Sequence, residues 1–384
     1  MGQKKADSKL NILLVHVWFW PHIGGGNQHV EYIGKELVKR GHKVTVWCAD
    51  VPEHNEKKFI RRGINVVRFI PKRILGGIDP VVSTKNHSID EFDLIHLHDT
   101  LPTMIRQVLK RAEKQNKPII TTYHNDYIKK GFFPNLIKKI RWAIQGRKTL
   151  HSSNGKIVLT PFFEDLLREK GVKGKIDIIP NGFQPVEEKP SKPIKLNYES
   201  KRPKLVFIGR LSKQKGLDVL LKSWEISSTN SKPDFDLIIA GKGELETWLN
   251  EKVKDLPFSE NVKILGVVSE AEKQWLFENC NGIVIPSKFE GLPTVLLEAM
   301  YNKLPVIMSK VNGLGKLVEN SKCGLSFNSG SEIDLSKSMN LLISSSDEQK
   351  KQWGENGAIA AEKYLWENVT TEILKLYNRI LKEV

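Results

Sequence analysis

The stretch IVIPSKFEGLPTVLLEAMYNKLPVI, residues 283–307, predicts the fold by itself. An apolar run ends at Ile285, and a loop containing a glycine follows it. A second apolar run, of helical length, covers residues 294–301, and a third begins at Pro305. This order is typical of a strand–helix–strand unit in a parallel sheet. We therefore predict an α/β fold whose strands are buried on both faces.

The same alternation covers most of the chain. Before residue 184, the predicted strands are 11–17, 43–48, 65–69, 94–97, 119–123, 156–159 and 176–179, with helices at 28–40, 104–115 and 163–170. After residue 203, the predicted strands are 204–208, 236–240, 262–265, 282–285 and 305–308, with helices at 217–224, 244–252, 270–278 and 294–301.

The segment between the two series, residues 184–203, contains four prolines, many charges and no periodicity. We therefore predict two α/β domains, at residues 1–185 and 204–363, joined by a linker at 186–203. Residues 347–384 are predicted to be helical. Two such domains in one chain are expected to leave a cleft between them, which is a favoured place for a ligand.

The composition of the 384 residues, 40% hydrophobic and 27% charged, is that of a globular protein with sizeable cores. Cys48, Cys280 and Cys323 are scattered, which argues against a disulfide framework and fits a reducing, cytoplasmic compartment. The first apolar run ends at Pro21 without a small-residue cleavage site. No apolar run is long enough to span a membrane, so we expect neither a signal peptide nor a spanning helix.

The positive charge is concentrated in the first half of the chain. The formal net charge is +16, and residues 1–180 carry 32 Lys and Arg against 17 Asp and Glu, a net of +15. This asymmetry favours an anionic surface, lipid or substrate as the partner of the first half. A basic surface kept for solubility is the alternative.

Two glycine-containing loops that follow predicted strands are suited to phosphate. In PHIGGGNQHV, Gly24, Gly25 and Gly26 let a ligand approach the backbone amides closely, and the helix behind them begins with a partial positive charge. A plain flexible loop is the alternative. In LIIAGKGELE, Gly241 and Gly243 occupy a similar turn before a helix.

Two cations and two carboxylates occupy the other loops of the second domain. In KLVFIGRLSKQKGLDVLL, Arg210 and Lys215 fall at the carboxyl edge of the sheet, where they could hold a diphosphate without a metal. Two exposed loop cations are the alternative. Glu290 and Glu298 suit polyhydroxyl recognition, but about five acidic pairs of this spacing arise by chance in such a chain, so the surrounding residues must decide.

The motifs GR…K.G, AGKGE and PS..EGLP…EA…PVI, in this order, resemble the retaining GT-B glycosyltransferases of family 4. PHIGGG, GHKVTV, DLIHLHD, TYHND and IIPNGF are similar to that family too, so the resemblance covers nearly the whole chain. It implies two Rossmann-like domains, the first for the acceptor and the second for the donor. It also implies a C-terminal helix, residues 364–384, that packs on the first domain.

The resemblance implies a role for each matched residue. His124 resembles the histidine that lines the reaction centre, and Arg210 and Lys215 resemble the cations that hold the diphosphate. Glu290 matches the glutamate near the transferred sugar, and Glu298 matches the one that binds the ribose hydroxyls. The expected donor-binding residues are Gly25, Gly26, Arg210, Lys215, Gly241, Gly243, Glu290, Gly291, Leu292, Pro293, Thr294 and Glu298, and the expected catalytic residues are His124, Glu290, Arg210 and Lys215.

The chain departs from the family pattern in two places. Asn27 stands where the family usually has Glu after the glycines. In VNGLGKLVEN, Gly313 is retained, but Gly315 and Lys316 replace the usual Pro-Glu, which removes a carboxylate and adds a cation.

No strong metal constellation stands out in the sequence. His96, His98 and Asp99 could place two imidazoles on one strand face, but packed or substrate-facing histidines are the commoner outcome on a buried strand. Fixed cations can stabilise a departing diphosphate, so we expect neither a metal nor a cofactor.

A basic and aromatic stretch between Tyr127 and Phe163 contains no acidic residue. Such a mixture fits an anionic membrane surface, with an ordinary surface helix as the alternative. The expected membrane-contact residues are Lys129, Lys130, Phe132, Phe133, Lys138, Lys139, Arg141 and Trp142.

Taken with the resemblance, these features predict an enzyme that transfers a hexosyl group from a nucleotide sugar, UDP-linked by preference and GDP-mannose next. The expected acceptor is lipid-linked or a glycan at the cytoplasmic face of a membrane. A cytosolic transferase acting on a small acidic metabolite and a UDP-sugar epimerase of GT-B fold are the alternatives. A binder of nucleic acid is disfavoured because no recognition module accompanies the charge.

Overall fold

The computed structural model describes residues 9–22, 25–75, 79–124, 140–196, 200–229 and 232–383, which form two compact units. Unit 1 comprises Met1–Gly182 and Trp366–Val384, and unit 2 comprises Phe183–Leu365. Each unit is built on its own largely parallel sheet with helices around it, which confirms the predicted α/β class.

Unit 1 contains ten described strands: β1 Asn11–Val15, β2 Lys43–Ala49, β3 Lys58–Arg61, β4 Ile64–Phe69, β5 Arg73–Leu75, β6 Asp79–Val81, β7 Leu94–His98, β8 Ile119–Tyr123, β9 Gly155–Val158 and β10 Asp177–Ile178. Its helices before unit 2 are α1 Gly25–Lys39, α2 Thr103–Lys114, a π-helix Trp142–Gly146, α3 Arg147–His151 and α4 Pro161–Glu169.

The main sheet of unit 1 has the order β10-β9-β8-β7-β1-β2-β4-β3, and only the β3–β4 pair is antiparallel. The central strands β7 and β8 are buried along their whole length, as expected for strands covered on both faces. The chain reverses its direction of winding between β1 and β7, and loops at the carboxyl ends of such strands are where α/β proteins place ligands.

Unit 2 contains six strands: β11 Lys204–Ile208, β12 Asp236–Ala240, β13 Val262–Gly266, β14 Gly282–Ile285, β15 Val306–Ser309 and β16 Gly324–Phe327. Its helices are a 3-10 turn Lys213–Lys215, α5 Leu217–Ser227, α6 Glu246–Lys254, a 3-10 turn Ser259–Asn261, α7 Glu270–Asn279, α8 Thr294–Tyr301, α9 Leu314–Ser321, α10 Glu332–Ser344 and α11 Asp347–Glu362.

The sheet of unit 2 is parallel throughout, with the order β13-β12-β11-β14-β15-β16. Apolar side chains of α5, α8 and α10 cover it in two buried clusters. Its direction of winding reverses between β11 and β14, so the loops after these two strands lie side by side. The sequence places Arg210 in the first of these loops and Glu290 in the second.

The last helix, α12 (Trp366–Glu383), belongs to unit 1, as the resemblance implied. Ile373, Leu376 and Tyr377 on its buried face join the same core cluster as strands β1 and β2. None of the described helices is both long enough and apolar enough to cross a membrane.

The structure differs from the sequence reading at the segment expected to be a linker. Phe183 and Leu196 are buried in the core of unit 2, and the backbone N–H of Ser191 donates to the carbonyl of Ala271. Two apolar anchors hold this proline-containing segment against unit 2, so the boundary falls at Gly182, before the prolines. The short exposed strand β3 and the helices α9 and α10 were also absent from the sequence reading.

Candidate functional site

Glycine allows three loops of unit 2 to approach each other at the carboxyl edge of the sheet. Gly241 has a φ of 140°, and a Cβ atom there would collide with the carbonyl oxygen of Gly209. A Cβ atom on Gly243 would likewise collide with the carbonyl of Leu211. Gly216 has a φ of 70° and faces the carbonyl of Pro286 in the same way. Glycine at these turns therefore lets the backbones of neighbouring loops pack in direct contact.

Lys215 and Glu290 are brought together by this packing, although they are 75 residues apart. The Lys215 ammonium forms an ion pair with the carboxylate of Glu290, whose side chain is 8% exposed. The hydroxyl of Ser287 donates to the same carboxylate at 2.7 Å. Gln214 donates to the carbonyl of Phe289 at 2.7 Å and so fixes the Lys213–Lys215 turn against the loop that carries Glu290.

Arg210 lies in the adjacent loop and is exposed. It makes no ion pair with any residue that the structure describes. An exposed guanidinium in the same loop as Lys215 leaves one cation available for an anionic ligand, with five donors in a planar fork.

The start of helix α8 supplies further donors at this edge. Pro293 precedes the helix, and no side chain caps it. The amides of the first turn are therefore open to a ligand, apart from that of Leu296, which donates to the carbonyl of Pro293 at 3.1 Å. Leu292 anchors the turn in the core, being 7% exposed, while Gly291 and Thr294 are half-buried.

Glu298 lies on α8 and pairs with a cation that the sequence reading missed. The Lys273 ammonium on α7 is 3.0 Å from Glu298 and 2.8 Å from Glu270. Burial raises the pKa of Glu298 above its usual value, and Lys273 only partly opposes this effect. Burial acts to lower the pKa of Lys273, but the attraction of Glu298 and Glu270 outweighs it and raises that pKa.

The loop in which the chain departs from the family pattern contacts the Glu290 loop through Asn312. The Asn312 amide donates to the backbone carbonyl of Glu290. Gly313 caps helix α9 with a φ of 81°, and Gly315 packs against Lys310. Lys316 is exposed. The loop therefore positions the backbone of Glu290 although it lacks the family's usual carboxylate.

In unit 1, helix α1 begins at Gly25, three residues earlier than the predicted helix at 28–40. Gly25 and Gly26 are thus part of its first turn and not of a preceding loop, while Gly24 lies outside the described residues. A Cβ atom on Gly26 would stand 2.9 Å from Nε2 of His16, so this histidine packs directly against the helix. The amide of Asn27 donates to the carbonyl of His22 at 2.7 Å and so ties the first turn of α1 to that residue.

Five histidines gather at the carboxyl edge of the unit 1 sheet: His16 after β1, His29 on α1, His96 and His98 on β7, and His124 after β8. The ring centroids of His29 and His124 are 4.7 Å apart, and those of His98 and His124 are 5.4 Å apart. The sequence reading singled out three of the five. The other two, His16 and His29, lie in a loop and on a helix, and no local sequence pattern links them to the three that were predicted.

Burial keeps these imidazoles neutral. It lowers the pKa of His16 and of His29 to about 4. It also lowers the pKa of His96, His98 and His124 well below the usual value, and the neighbouring histidines add to the effect. A neutral imidazole can accept a hydrogen bond or bind a metal through its free nitrogen.

The expected membrane-contact stretch is described only in part. Lys129, Lys130, Phe132, Phe133, Lys138 and Lys139 lie outside the described residues. Arg141 pairs with Asp79 at 2.7 Å, and Trp142 packs against Tyr123, with the Lys170 ammonium 4.9 Å from its ring centroid. Both described members of the set therefore make contacts within unit 1. Ile144 beside them is 65% exposed.

Comparisons with known protein families agree with this architecture. The family described as Glycosyltransferase Family 4 matches residues 23–186, and the family described as Glycosyl transferases group 1 matches residues 188–359. Together they cover most of both units.

Individual relatives align over nearly the whole chain. It is similar to an uncharacterized glycosyltransferase of Methanocaldococcus jannaschii, with 25% identity over 94% of this chain and 96% of the relative. It is also similar to the phosphatidyl-myo-inositol mannosyltransferase of Mycobacterium leprae, with 24% identity over 93% of each chain. Among solved structures, Anabaena HepE in complex with UDP aligns with a TM-score of 0.72 at 18% identity, over 96% of this chain and all of the other.

Proposed function

The chain belongs to glycosyltransferase family 4, and on that premise we propose that it transfers a hexosyl group from a nucleotide-diphosphate sugar with retention of anomeric configuration. The observation that carries this proposal is the carboxyl edge of the unit 2 sheet. There, three features come from adjacent loops: Arg210, which forms no ion pair with a described residue, the Lys215–Glu290 pair, and the uncapped start of α8.

In this proposal, unit 2 binds the donor. Arg210 and the amides at the start of α8 bind the diphosphate, because a guanidinium fork and free N–H groups are both suited to phosphate oxygens. Glu298 accepts hydrogen bonds from the ribose hydroxyls, and Glu290 faces the transferred sugar. The structure of HepE with UDP supports a UDP-sugar as the first choice. The mannosyltransferase among the relatives keeps GDP-mannose as the next.

The same residues would stabilise the transition state. Negative charge builds on the diphosphate as it leaves, and fixed cations aimed at that charge lower the barrier. Lys215 would supply a second cation at this edge while it remains paired with Glu290. Since these groups belong to the protein, we propose that transfer proceeds without a metal, and activity should survive complete chelation.

The donor assignment is tested by thermal shift against UDP, GDP and their sugar derivatives. A nucleoside diphosphate that binds only the folded unit raises its thermal unfolding midpoint. At a concentration of 100 Kd, it adds about 2.7 kcal/mol to the free energy of unfolding. Arg210→Ala should abolish the shift. Lys254→Ala, which removes an exposed cation at the opposite end of helix α6, should retain it. No shift with any nucleotide would exclude the donor site.

The division of labour between the two carboxylates has its own test. Glu298→Gln should weaken nucleotide binding in calorimetry because the ribose loses its acceptor. Glu290→Gln should bind nucleotide normally but turn over slowly. Equal loss of binding in both variants would contradict the roles that we assign.

For the acceptor, we propose a lipid-linked or glycan substrate presented at the cytoplasmic face of a membrane. The excess of +15 in residues 1–180 supports an anionic partner for unit 1, and a relative is named for action on a phosphatidyl-inositol. Neutral His124 is suited to accept a hydrogen bond from an acceptor hydroxyl. The enzyme should sediment with vesicles that contain anionic lipid and remain free of neutral ones. Equal binding to both would remove the electrostatic basis of the proposal.

A further inference from the structure

The histidines at the carboxyl edge of unit 1 have unequal numbers of free ring nitrogens. His96 has none, because Nδ1 contacts the Tyr377 hydroxyl at 2.7 Å and Nε2 contacts the Thr122 hydroxyl at 2.7 Å. His16 has its Nδ1 at 3.2 Å from the carbonyl of His98, and its Nε2 is packed against Gly26. Neither is therefore free to accept a further ligand.

The remaining three, His29, His98 and His124, each offer a ring nitrogen, and these three atoms lie within 4.8 Å of one another. Nε2 of His29 is buried without a hydrogen-bond partner among the described residues. Leaving a buried polar atom without a partner is unfavourable, and an ion bound at this nitrogen would satisfy it.

The distances suit a small cation. Nδ1 of His98 is 3.2 Å from Nε2 of His124, a hydrogen bond between two rings of the cluster that an ion bound between them would replace. Two nitrogens bound to one tetrahedral zinc ion at about 2.0–2.1 Å stand roughly 3.3 Å apart. The pair therefore has the separation of two metal ligands before any movement, and His29 needs a shift of about an ångström to join them.

The third histidine is held in the tautomer that a metal requires. Nδ1 of His29 is 2.5 Å from Oδ1 of Asn181, so this nitrogen carries the proton and Nε2 keeps its lone pair. Metal-binding histidines almost always donate their other N–H to a carbonyl or carboxylate oxygen in this way. Asn181 is therefore a positioning residue.

We propose that His29, His98 and His124 bind one divalent transition-metal ion, with Zn²⁺ fitting best. Three imidazoles and an open fourth position are a ligand set that zinc accepts, and they offer none of the carboxylate oxygens that Mg²⁺ and Ca²⁺ prefer. The ion would bind beside the proposed acceptor site, to which His124 also belongs, and not in the donor site of unit 2, whose chemistry needs no metal.

The test is direct metal binding to the chain without an added histidine tag, stripped with chelator and studied without sugar nucleotide. Its result is therefore independent of the donor assignment. Zn²⁺ is measured by equilibrium dialysis with elemental analysis, and Co²⁺ by its visible absorption. We expect one tight ion per chain and the intense visible bands of tetrahedral Co²⁺. Weak octahedral bands, or no tight ion, would overturn the proposal.

Variants locate the ion. His29→Gln and His124→Gln should each lower the affinity for Zn²⁺ by at least about 100-fold, since each removes a ligand. His151→Gln removes an exposed histidine and should change nothing. Asn181→Ala should lower the affinity about 10-fold or more, and Asn181→Asp should restore it, because a carboxylate also accepts the His29 proton.

Protection of Cys48 from a thiol reagent verifies that each variant is folded, since this thiol is fully buried in unit 1. His124 is the least buried of the three, so His124→Gln preserves the test if His29→Gln does not fold. Equal affinity in wild type and His124→Gln would overturn the site.

Discussion

At the carboxyl edge of its sheet, unit 1 gathers neutral histidines, whereas unit 2 gathers lysines paired with carboxylates. Burial dominates the first group and holds the pKa of its imidazoles low. Ion pairing dominates the second, where Lys215 meets Glu290 and Lys273 meets Glu298. All ten histidines of the chain fall in unit 1 and none in unit 2. The two edges should therefore respond to different perturbations, unit 1 to protons and unit 2 to loss of a charged partner.

Acidification should have the largest effect on stability and should act mainly on unit 1. His16 and His29 have a pKa of about 4 in the folded chain and 6.5 when unfolded, so the unfolded chain takes up protons first as the pH falls. Stability of unit 1 that is complete above pH 6.5 is then lost between pH 6.5 and pH 4. At pH 5 each of these two histidines should cost about 2 kcal/mol relative to pH 7.5.

The measurement is urea unfolding in the presence of chelator, with a pulse of thiol reagent and mass spectrometry of each cysteine peptide. Cys48 is buried in unit 1 and Cys323 in unit 2, so the two thiols report on different units. The unfolding midpoint of Cys48 should fall sharply between pH 7.5 and pH 5, and that of Cys323 much less. Equal falls at both thiols would contradict the contrast between the units.

Removing one partner of the buried pair in unit 2 should have the next largest effect. Lys215→Met leaves Glu290 without its cation, and breaking a buried pair costs about 3 kcal/mol. The Cys323 midpoint should fall while the Cys48 midpoint stays in place. Adding Glu290→Gln should recover part of the loss, because the uncompensated charge is gone. A double variant no more stable than Lys215→Met would show that the charge is not the cause.

A neutral hydrogen bond in unit 1 should matter less. Tyr377→Phe removes the hydroxyl that contacts Nδ1 of His96 at 2.7 Å, and the buried nitrogen loses its partner at a cost of about 1–2 kcal/mol. Tyr364→Phe is the matched control in unit 2, where the hydroxyl has no hydrogen-bond partner among the described residues. Urea unfolding should separate the two variants, and equal stability would mean that His96 finds another partner.

Arg210→Ala should have the smallest effect on stability, within about 0.5 kcal/mol, since the side chain is exposed and forms no described ion pair. Its loss should nevertheless abolish the thermal shift by a nucleoside diphosphate. A stability loss comparable with that of Lys215→Met would show that Arg210 has a structural role instead.

The sequence was most informative where a pattern is local. Continuous apolar strands such as Asp236–Ala240 identify a buried parallel sheet, and the glycine turns after them identify its carboxyl edge. Strand β3 was not predicted, because it is an exposed edge strand with a charged residue at each end. The prolines of residues 184–203 favour a boundary later in the chain. The buried side chains of Phe183 and Leu196 attach this segment to unit 2, so the boundary falls at Gly182.

The candidate site was predictable only in part, for a related reason. The resemblance identified Lys215 and Glu290, but not that they pair in the folded chain. Lys273 and Glu298 are 25 residues apart in the chain and lie on two neighbouring helices, so no local sequence pattern predicts their ion pair. His29 reaches His98 and His124 only after α1, β7 and β8 are assembled. Contacts of this kind depend on the sheet order and not on spacing along the chain.

The placement of helix α12 has a consequence for synthesis on the ribosome. Trp366, which stacks on Tyr32 with ring centroids 5.6 Å apart, and Tyr377 complete the core of unit 1, yet both are translated after the whole of unit 2. Unit 1 can therefore complete its core only after the whole of unit 2 has been translated, and until then the apolar surface of α1 is uncovered. A released chain truncated after Leu365 should be protease-resistant in unit 2 and sensitive in unit 1.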